Sequence, residues 1–147
     1  LADLDAIIAP IGGGGLMSGT ALSTHYFSPQ TAVYGAEPEQ VNDAYLSFKS
    51  GVRTPHLGLP SIADGLLTNL SEKTFGIIKT HLSDVFTVSE AEIIAAMKLV
   101  WERMKIVVEP SCVVPLAAVL KNPDVFAGKR VGIILTGGNV DLKRLPF

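Results

Sequence analysis

The stretch "DAIIAPIGGGGLMSG", Asp5–Gly19, limits the fold more than any other part of the chain. An apolar run of strand length feeds straight into four glycines, and a helical pattern follows at once. Glycine loses more conformational freedom on folding than any other residue, so a run of them needs a cause. A flexible linker would have polar flanks, and a tight turn would need only two glycines. A glycine run between a strand and a helix does something else. It lets several backbone N–H groups converge on one small space at a helix N-terminus, where the helix dipole adds about half a positive charge. That combination binds phosphate.

The rest of the chain repeats this alternation. Asp5–Ile11 reads as a buried strand, Gly14 to about Phe27 as a helix, Thr31–Pro38 as a second strand and Asn42–Ser50 as a short helix. Gly51–Gly65 is rich in Gly and Pro and reads as a long surface loop, the kind of segment that often carries function. A helix over Glu72–His81 and a strand over Asp84–Ser89 come next. Ser89 with Glu92 three residues on forms a capping box, and Ile93, Met97, Val100, Trp101 and Met104 then recur at helical spacing. A further helix opens near Ser111, and Lys129–Asn139 reads as a last strand ending in a glycine turn. Strands apolar along their whole length, each followed by a helix, predict an α/β fold: an open, mostly parallel sheet with helices on both faces.

Composition narrows the class. With 147 residues, 48% hydrophobic and 18% charged, the chain forms one domain with a sizeable core. It has no apolar run long enough to cross a membrane. A net charge of −2 with scattered Lys and Arg gives no footprint for nucleic acid. The lone Cys112 excludes an intrachain disulfide framework and points to a reducing, cytoplasmic setting. The chain starts without Met, one step before a strand, and reads as a piece of something longer.

Open parallel sheets bind ligands beyond the carboxyl ends of their strands. Three motifs fall there, "GGGGLMSG", "GAEP" and "TGGN", and a fourth, "IADG", lies in the long loop. A dinucleotide is one candidate ligand. Gly13, Gly15 and Gly19 loosely match a Rossmann fingerprint, and Glu37 ends the next strand where a ribose-binding acid belongs. The third glycine comes one residue late, however. In "ILTGGN" the hydroxyl of Thr136 stands at a strand end, placed to hydrogen-bond a ring nitrogen, with Gly137 and Gly138 leaving room for a flat ring.

Together, "PIGGGGLMSG", "GAEPEQVNDAY", "SIADGL", "LVWERMKIVVEPS" and "TGGNVDL" resemble, in order and spacing, the C-terminal half of serine racemases and threonine/serine dehydratases. These are pyridoxal-phosphate enzymes of fold type II, and the resemblance covers nearly the whole chain. It implies a single partial domain over residues 1–147, in which Gly12, Gly13, Gly14 and Gly15 cradle the cofactor phosphate. Thr136 would meet the pyridine nitrogen, Gly65 would lie against the cofactor and Glu109 would sit near its ring. A neutral hydroxyl at the ring nitrogen leaves the ring a weaker electron sink than a carboxylate would, which suits β-elimination.

The resemblance also implies a Mg²⁺ or Ca²⁺ site made by Glu37, Asp43 and the backbone carbonyl of Val41, a set of oxygen ligands suited to a hard cation. From spacing alone, Glu37 reads equally as a strand-end acid and Asp43 as an early-helix acid favoured by the dipole. Cys112 reads as a small packing residue beside the cofactor pocket, and His25, His56 and His81 as surface or loop residues. Lys105 falls near a nucleotide-effector position of some racemases and reads here as a surface lysine.

One part of the family's machinery is missing. Its Schiff-base lysine sits in an "S-x-K-x-R-G"-like segment, and Lys49, Lys73, Lys79, Lys98, Lys105, Lys121, Lys129 and Lys143 all lie in other settings. The chain therefore carries no catalytic residue of its own. It is expected to be inactive alone and to need the N-terminal half of the same enzyme, which would also cover its open sheet edge. The intact protein would be a homodimer acting on serine, threonine or a related β-hydroxy amino acid, by deamination to an α-keto acid and ammonia, by racemisation, or both. A hydroxyaspartate dehydratase, a Rossmann module and a non-catalytic half-domain are the other readings.

Overall fold

The structure, a computed structural model, describes residues 3–147. Strand β1 (Ala6–Pro10) leads into helix α1 (Gly15–Phe27), then β2 (Ala32–Pro38) and α2 (Asp43–Ser50). The long loop holds one 3-10 turn, Asp64–Leu66. After it come α3 (Glu72–His81), β3 (Asp84–Val88), α4 (Glu90–Met104), α5 (Pro110–Lys121), the short α6 (Pro123–Phe126) and β4 (Val131–Ile133). The strands form a sheet in the order β3-β2-β1-β4, and every pairing is parallel.

Alternate residues of β1 explain its unbroken apolar sequence. Ala6 and Ile8 enter a core shared with Ile93, Met97 and Val100 of α4 and Val113, Val114 and Ala117 of α5. Ala9 and the following Ile11 enter a second core with Met17 and Ala21 of α1, Ala44 of α2 and Ile78 of α3. Both faces are covered, so no strand residue can be polar without cost. The fold is α/β, as the sequence predicts.

Helix starts follow local chemistry. Ser89 caps α4: its hydroxyl accepts the Glu92 N–H at 3.3 Å, while Glu92 Oε2 accepts the Ser89 N–H at 2.7 Å. Ser71 and Thr74 make the same reciprocal cap on α3.

The last strand is shorter than the sequence suggests. The Ile134 N–H still donates to the Ile8 carbonyl at 3.1 Å. The next rung of a parallel ladder would need an N–H from Pro10, which has none, so regular pairing stops there. Residues 134–139 continue as an extended loop to the site.

Candidate functional site

At the carboxyl end of β1 the chain turns sharply. The Ile11 N–H donates to the Ala36 carbonyl at 3.0 Å, fixing the exit from the sheet. Gly14 then takes a left-handed conformation (φ 81°) and caps α1, its carbonyl accepting the Ser18 N–H at 2.8 Å. A Cβ on Gly14 would lie 2.8 Å from both Leu70 Cδ2 and Thr74 Cβ, and one on Gly12 would lie 3.2 Å from Leu66 Cα. Gly15 has open space where a Cβ would be, and at Gly13 a Cβ would make only ordinary contacts from 3.7 Å outward.

These glycines form one wall of a cavity of about 300 Å³. Its lining includes Gly12, Gly13, Gly14 and Gly15, and also Gly65, Glu109 and Thr136. Residues 124 positions apart in sequence thus meet in one space, because β4 lies beside β1 and its continuation arrives next to the glycine loop. Among the described residues no lysine lines the cavity.

Glu109 organises the far wall. Its N–H donates to the Gly137 carbonyl at 3.1 Å, and its Oε2 accepts the Asn139 N–H at 2.8 Å. The sequence suggests that Gly137 and Gly138 make room for a flat ring. The structure shows a nearer cause: a Cβ on Gly137 would sit 2.7 Å from Glu109 Cδ, and one on Gly138 would sit 2.8 Å from the Val107 carbonyl oxygen. Cys112 is fully buried behind this wall. Burial pushes its thiol pKa up, an effect moderated by the Gly137 and Thr136 backbone N–H groups beside it. Ser111, also in the lining, was not singled out by the sequence; its signal was a hydroxyl one step into a helix that begins right after Glu109.

The second candidate cluster lies at the end of β2. Glu37 is only 1% exposed. Its Oε2 accepts the Tyr45 N–H at 2.7 Å and its Oε1 the Ala44 N–H at 3.2 Å, so it holds the start of α2. Asp43 is buried beside it, and neither of its carboxylate oxygens has a hydrogen-bond partner. Burial, with the charge of Asp43 adding to it, pushes the Glu37 pKa well up; burial also raises Asp43, offset in part by its own backbone N–H and by the charge of His56. Val41 is buried between them in sequence, its N–H donating to the Pro38 carbonyl at 3.0 Å. Among the described residues no group of three or more His, Cys, Asp or Glu could hold a metal, so a cation here would rest on two carboxylates, a carbonyl and water. The orphaned oxygens of Asp43 fit such an ion, because two buried like charges are costly without a counter-charge.

Glu37 is absent from the cavity lining. Lying outside the cavity, Glu37 is not placed to meet a ribose bound there, which removes the main support for a dinucleotide. His25 and His81, at the ends of α1 and α3, lie with ring centroids 4.8 Å apart and planes tilted by 55°. Lys105 is exposed at the end of α4 in a left-handed conformation (φ 60°). No described helix is long and apolar enough to cross a membrane.

The chain is similar to several known proteins. A beta-hydroxyaspartate dehydratase of Paracoccus denitrificans is 55% identical over 98% of this chain and 46% of its own length. The serine racemase of Dictyostelium discoideum is 51% identical over 97% of this chain and 45% of its own. The crystal structure of that racemase superposes with a TM-score of 0.90 at 49% identity, covering 97% of this chain and 46% of the racemase chain. The chain spans under half the length of the curated relatives it matches. Residues 1–137 match the family described as "Pyridoxal-phosphate dependent enzyme". The chain therefore belongs to the pyridoxal-phosphate dependent enzyme family, with the sheet and helix arrangement of its fold type II members.

Proposed function

We propose that this chain is the cofactor-phosphate and cation-binding part of a serine racemase or β-hydroxy amino acid dehydratase. The observation that carries the reading is the single cavity shared by Gly12–Gly15, Gly65, Glu109 and Thr136. Gly12–Gly15, at the N-terminus of α1, would offer their N–H groups to the phosphate of pyridoxal phosphate. Thr136 would place a neutral hydroxyl at the ring nitrogen, and Gly65 would press its bare backbone on the ring. Glu109 would hold the Thr136 loop while presenting its carboxyl edge to the cavity. When bound, the cofactor supplies the electron sink that weakens the bonds at the substrate's α-carbon. Glu37, Asp43 and the Val41 carbonyl would hold Mg²⁺ or Ca²⁺, fixing the start of α2 against β2.

The overall reaction would convert serine, threonine or hydroxyaspartate to an α-keto acid and ammonia, invert the α-carbon, or do both. The names of the relatives, a hydroxyaspartate dehydratase and a serine racemase, support that substrate class. The lysine that anchors the cofactor would come from an N-terminal half, the working enzyme would be a homodimer, and its buried free thiol suits the cytoplasm.

The test is a full-length enzyme rebuilt by joining this chain to the N-terminal portion of the Dictyostelium racemase. It should bind pyridoxal phosphate, turn yellow and release an α-keto acid from at least one of the three amino acids. Thr136→Ser should keep cofactor and activity, and Thr136→Val should lower turnover at least tenfold, roughly one well-placed hydrogen bond to the cofactor. A colourless protein that binds a nicotinamide dinucleotide instead would overturn the reading.

A further inference from the structure

Beyond these residues, the geometry points to Ser111 as a positioning residue that holds Gly65 at the cofactor face; this rests on the cofactor reading above. Ser111 is 3% exposed, in the first turn of α5, and its hydroxyl oxygen accepts the Gly65 N–H at 3.0 Å. The two residues are 46 positions apart, so this contact sets the spacing between α5 and the 3-10 turn. A Cβ on Gly65 would lie 3.0 Å from Ser111 Oγ and 3.5 Å from Glu109 Oε1, so the turn is pressed against both.

Close packing continues to the glycine loop. A Cβ on Gly12 would meet Leu66 Cα at 3.2 Å and the Gly65 carbonyl oxygen at 3.3 Å. Ser111, Gly65 and Gly12 thus form one closely packed series, with little room for a side chain on Gly12, from α5 to the phosphate end of the cavity. Ala63 and Leu66 bury the two ends of the turn in the core. Gly65 between them is exposed to the cavity, and its amide is tied by Ser111.

The first turn of α5 lacks one helical hydrogen bond. Pro115 sits inside the helix and has no N–H to return to the Ser111 carbonyl four residues earlier. Around that turn the Cys112 N–H donates to the Glu109 carbonyl at 3.2 Å, Glu109 Oε2 accepts the Asn139 N–H, and Ser111 Oγ accepts the Gly65 N–H.

The experiment uses the rebuilt full-length enzyme, stripped of cofactor and titrated with pyridoxal phosphate. Binding is followed by absorbance, and the near-UV circular dichroism of the bound cofactor reports how the ring is held. Ser111→Ala should weaken binding about two- to tenfold, one net hydrogen bond, and change the dichroism; Ser111→Thr, which keeps the hydroxyl, should restore both. Unchanged affinity and dichroism in Ser111→Ala overturn the proposal. So does equal loss in Ser111→Thr, which would make the effect one of packing. Amide hydrogen exchange of the unsubstituted apoenzyme adds a check free of folding failures: the Gly65 N–H should be protected, and exchange as fast as at an open loop amide overturns the hydrogen bond itself. Failure of the unsubstituted enzyme to take up any cofactor would instead refute the cofactor reading, with Ser111 falling alongside it.

Discussion

Replacing Gly14 and Gly15 separately by alanine should give opposite results, although the two are neighbours in one motif. At Gly14 three costs combine. The left-handed backbone (φ 81°) penalises any Cβ by about 1–2 kcal/mol. The new methyl would stand 2.8 Å from Leu70 Cδ2 and Thr74 Cβ, overpacking of a kind that costs about 1–3 kcal/mol. Thr74 cannot turn aside freely, because its hydroxyl accepts the Ser71 N–H at 3.0 Å in the α3 cap, and losing a cap costs about 1 kcal/mol. These costs overlap, since relieving the clash by moving Thr74 spends the cap, so Gly14→Ala should lose about 2–5 kcal/mol in all. At Gly15 the backbone is ordinary, nothing lies within 4 Å of the added methyl, and the position is the first residue of α1. Alanine there should leave stability unchanged or raise it by up to about 1 kcal/mol. Urea denaturation of the cofactor-free, rebuilt enzyme measures both. A difference below about 1 kcal/mol between the variants would refute the reasoning, and with it the left-handed cap at Gly14.

The carboxylates at the end of β2 make stability depend on pH. Burial raises the folded-state pKa of Glu37 and Asp43, so without a cation their contribution is fully present below the ordinary carboxylate range and is lost as pH rises through the raised values. Urea midpoints should therefore fall on the alkaline side, Mg²⁺ should restore them most at that end, and Glu37→Gln should flatten both responses; a Mg²⁺ effect that survives Glu37→Gln would place the ion elsewhere. Ser89→Ala should cost about 1 kcal/mol by removing the α4 capping box, read as a shift in urea midpoint that is absent for Ser50→Ala, whose hydroxyl serves only an exposed loop. Lys121 bridges Glu39 at 2.7 Å, Glu92 at 3.0 Å and the Thr87 carbonyl at 3.2 Å. With its side chain one-third exposed, Lys121→Met should cost no more than about 1 kcal/mol, less at high salt.

What could be read from the sequence was local. The strands announced themselves because both faces are buried, and α4 because Ser89 and Glu92 sit three residues apart before a helical stripe. The matching cap on α3 is not legible in the sequence because Thr74 stands where Glu or Gln would advertise it. The 3-10 turn at Asp64–Leu66 could not be read at all: the buried ends that hold it, Ala63 and Leu66, reach their core through α4 and α5. The stop of β4 was hidden for a related reason, since it is Pro10, on the neighbouring strand, that lacks the next donor. Ser111 was hidden because its target lies 46 residues away. A motif shows which residues are unusual; the reason for each lies in what stands opposite it in space.

The glycines make that argument quantitative. Gly12 is demanded by the approach of Gly65 and Leu66, and Gly14 by its own left-handed backbone and by Thr74. The tight turn and its packing thus use two of the four. Gly137 and Gly138 are likewise accounted for by Glu109 and Val107. Gly13 and Gly15 remain. Both have room for a methyl group, neither has a left-handed backbone, and alanine at either would cost the chain nothing that the fold reveals. Glycine is the residue with the greatest entropy cost on folding, so its use at two positions the fold leaves free calls for something outside the protein's own packing. Both line the cavity, at the positive end of α1. A bulky anion that must touch the backbone itself would exclude side chains at just those positions. On that reasoning Gly15→Ala, harmless to the apoenzyme, should still weaken pyridoxal phosphate binding, and an unchanged affinity would mean that the phosphate lies elsewhere.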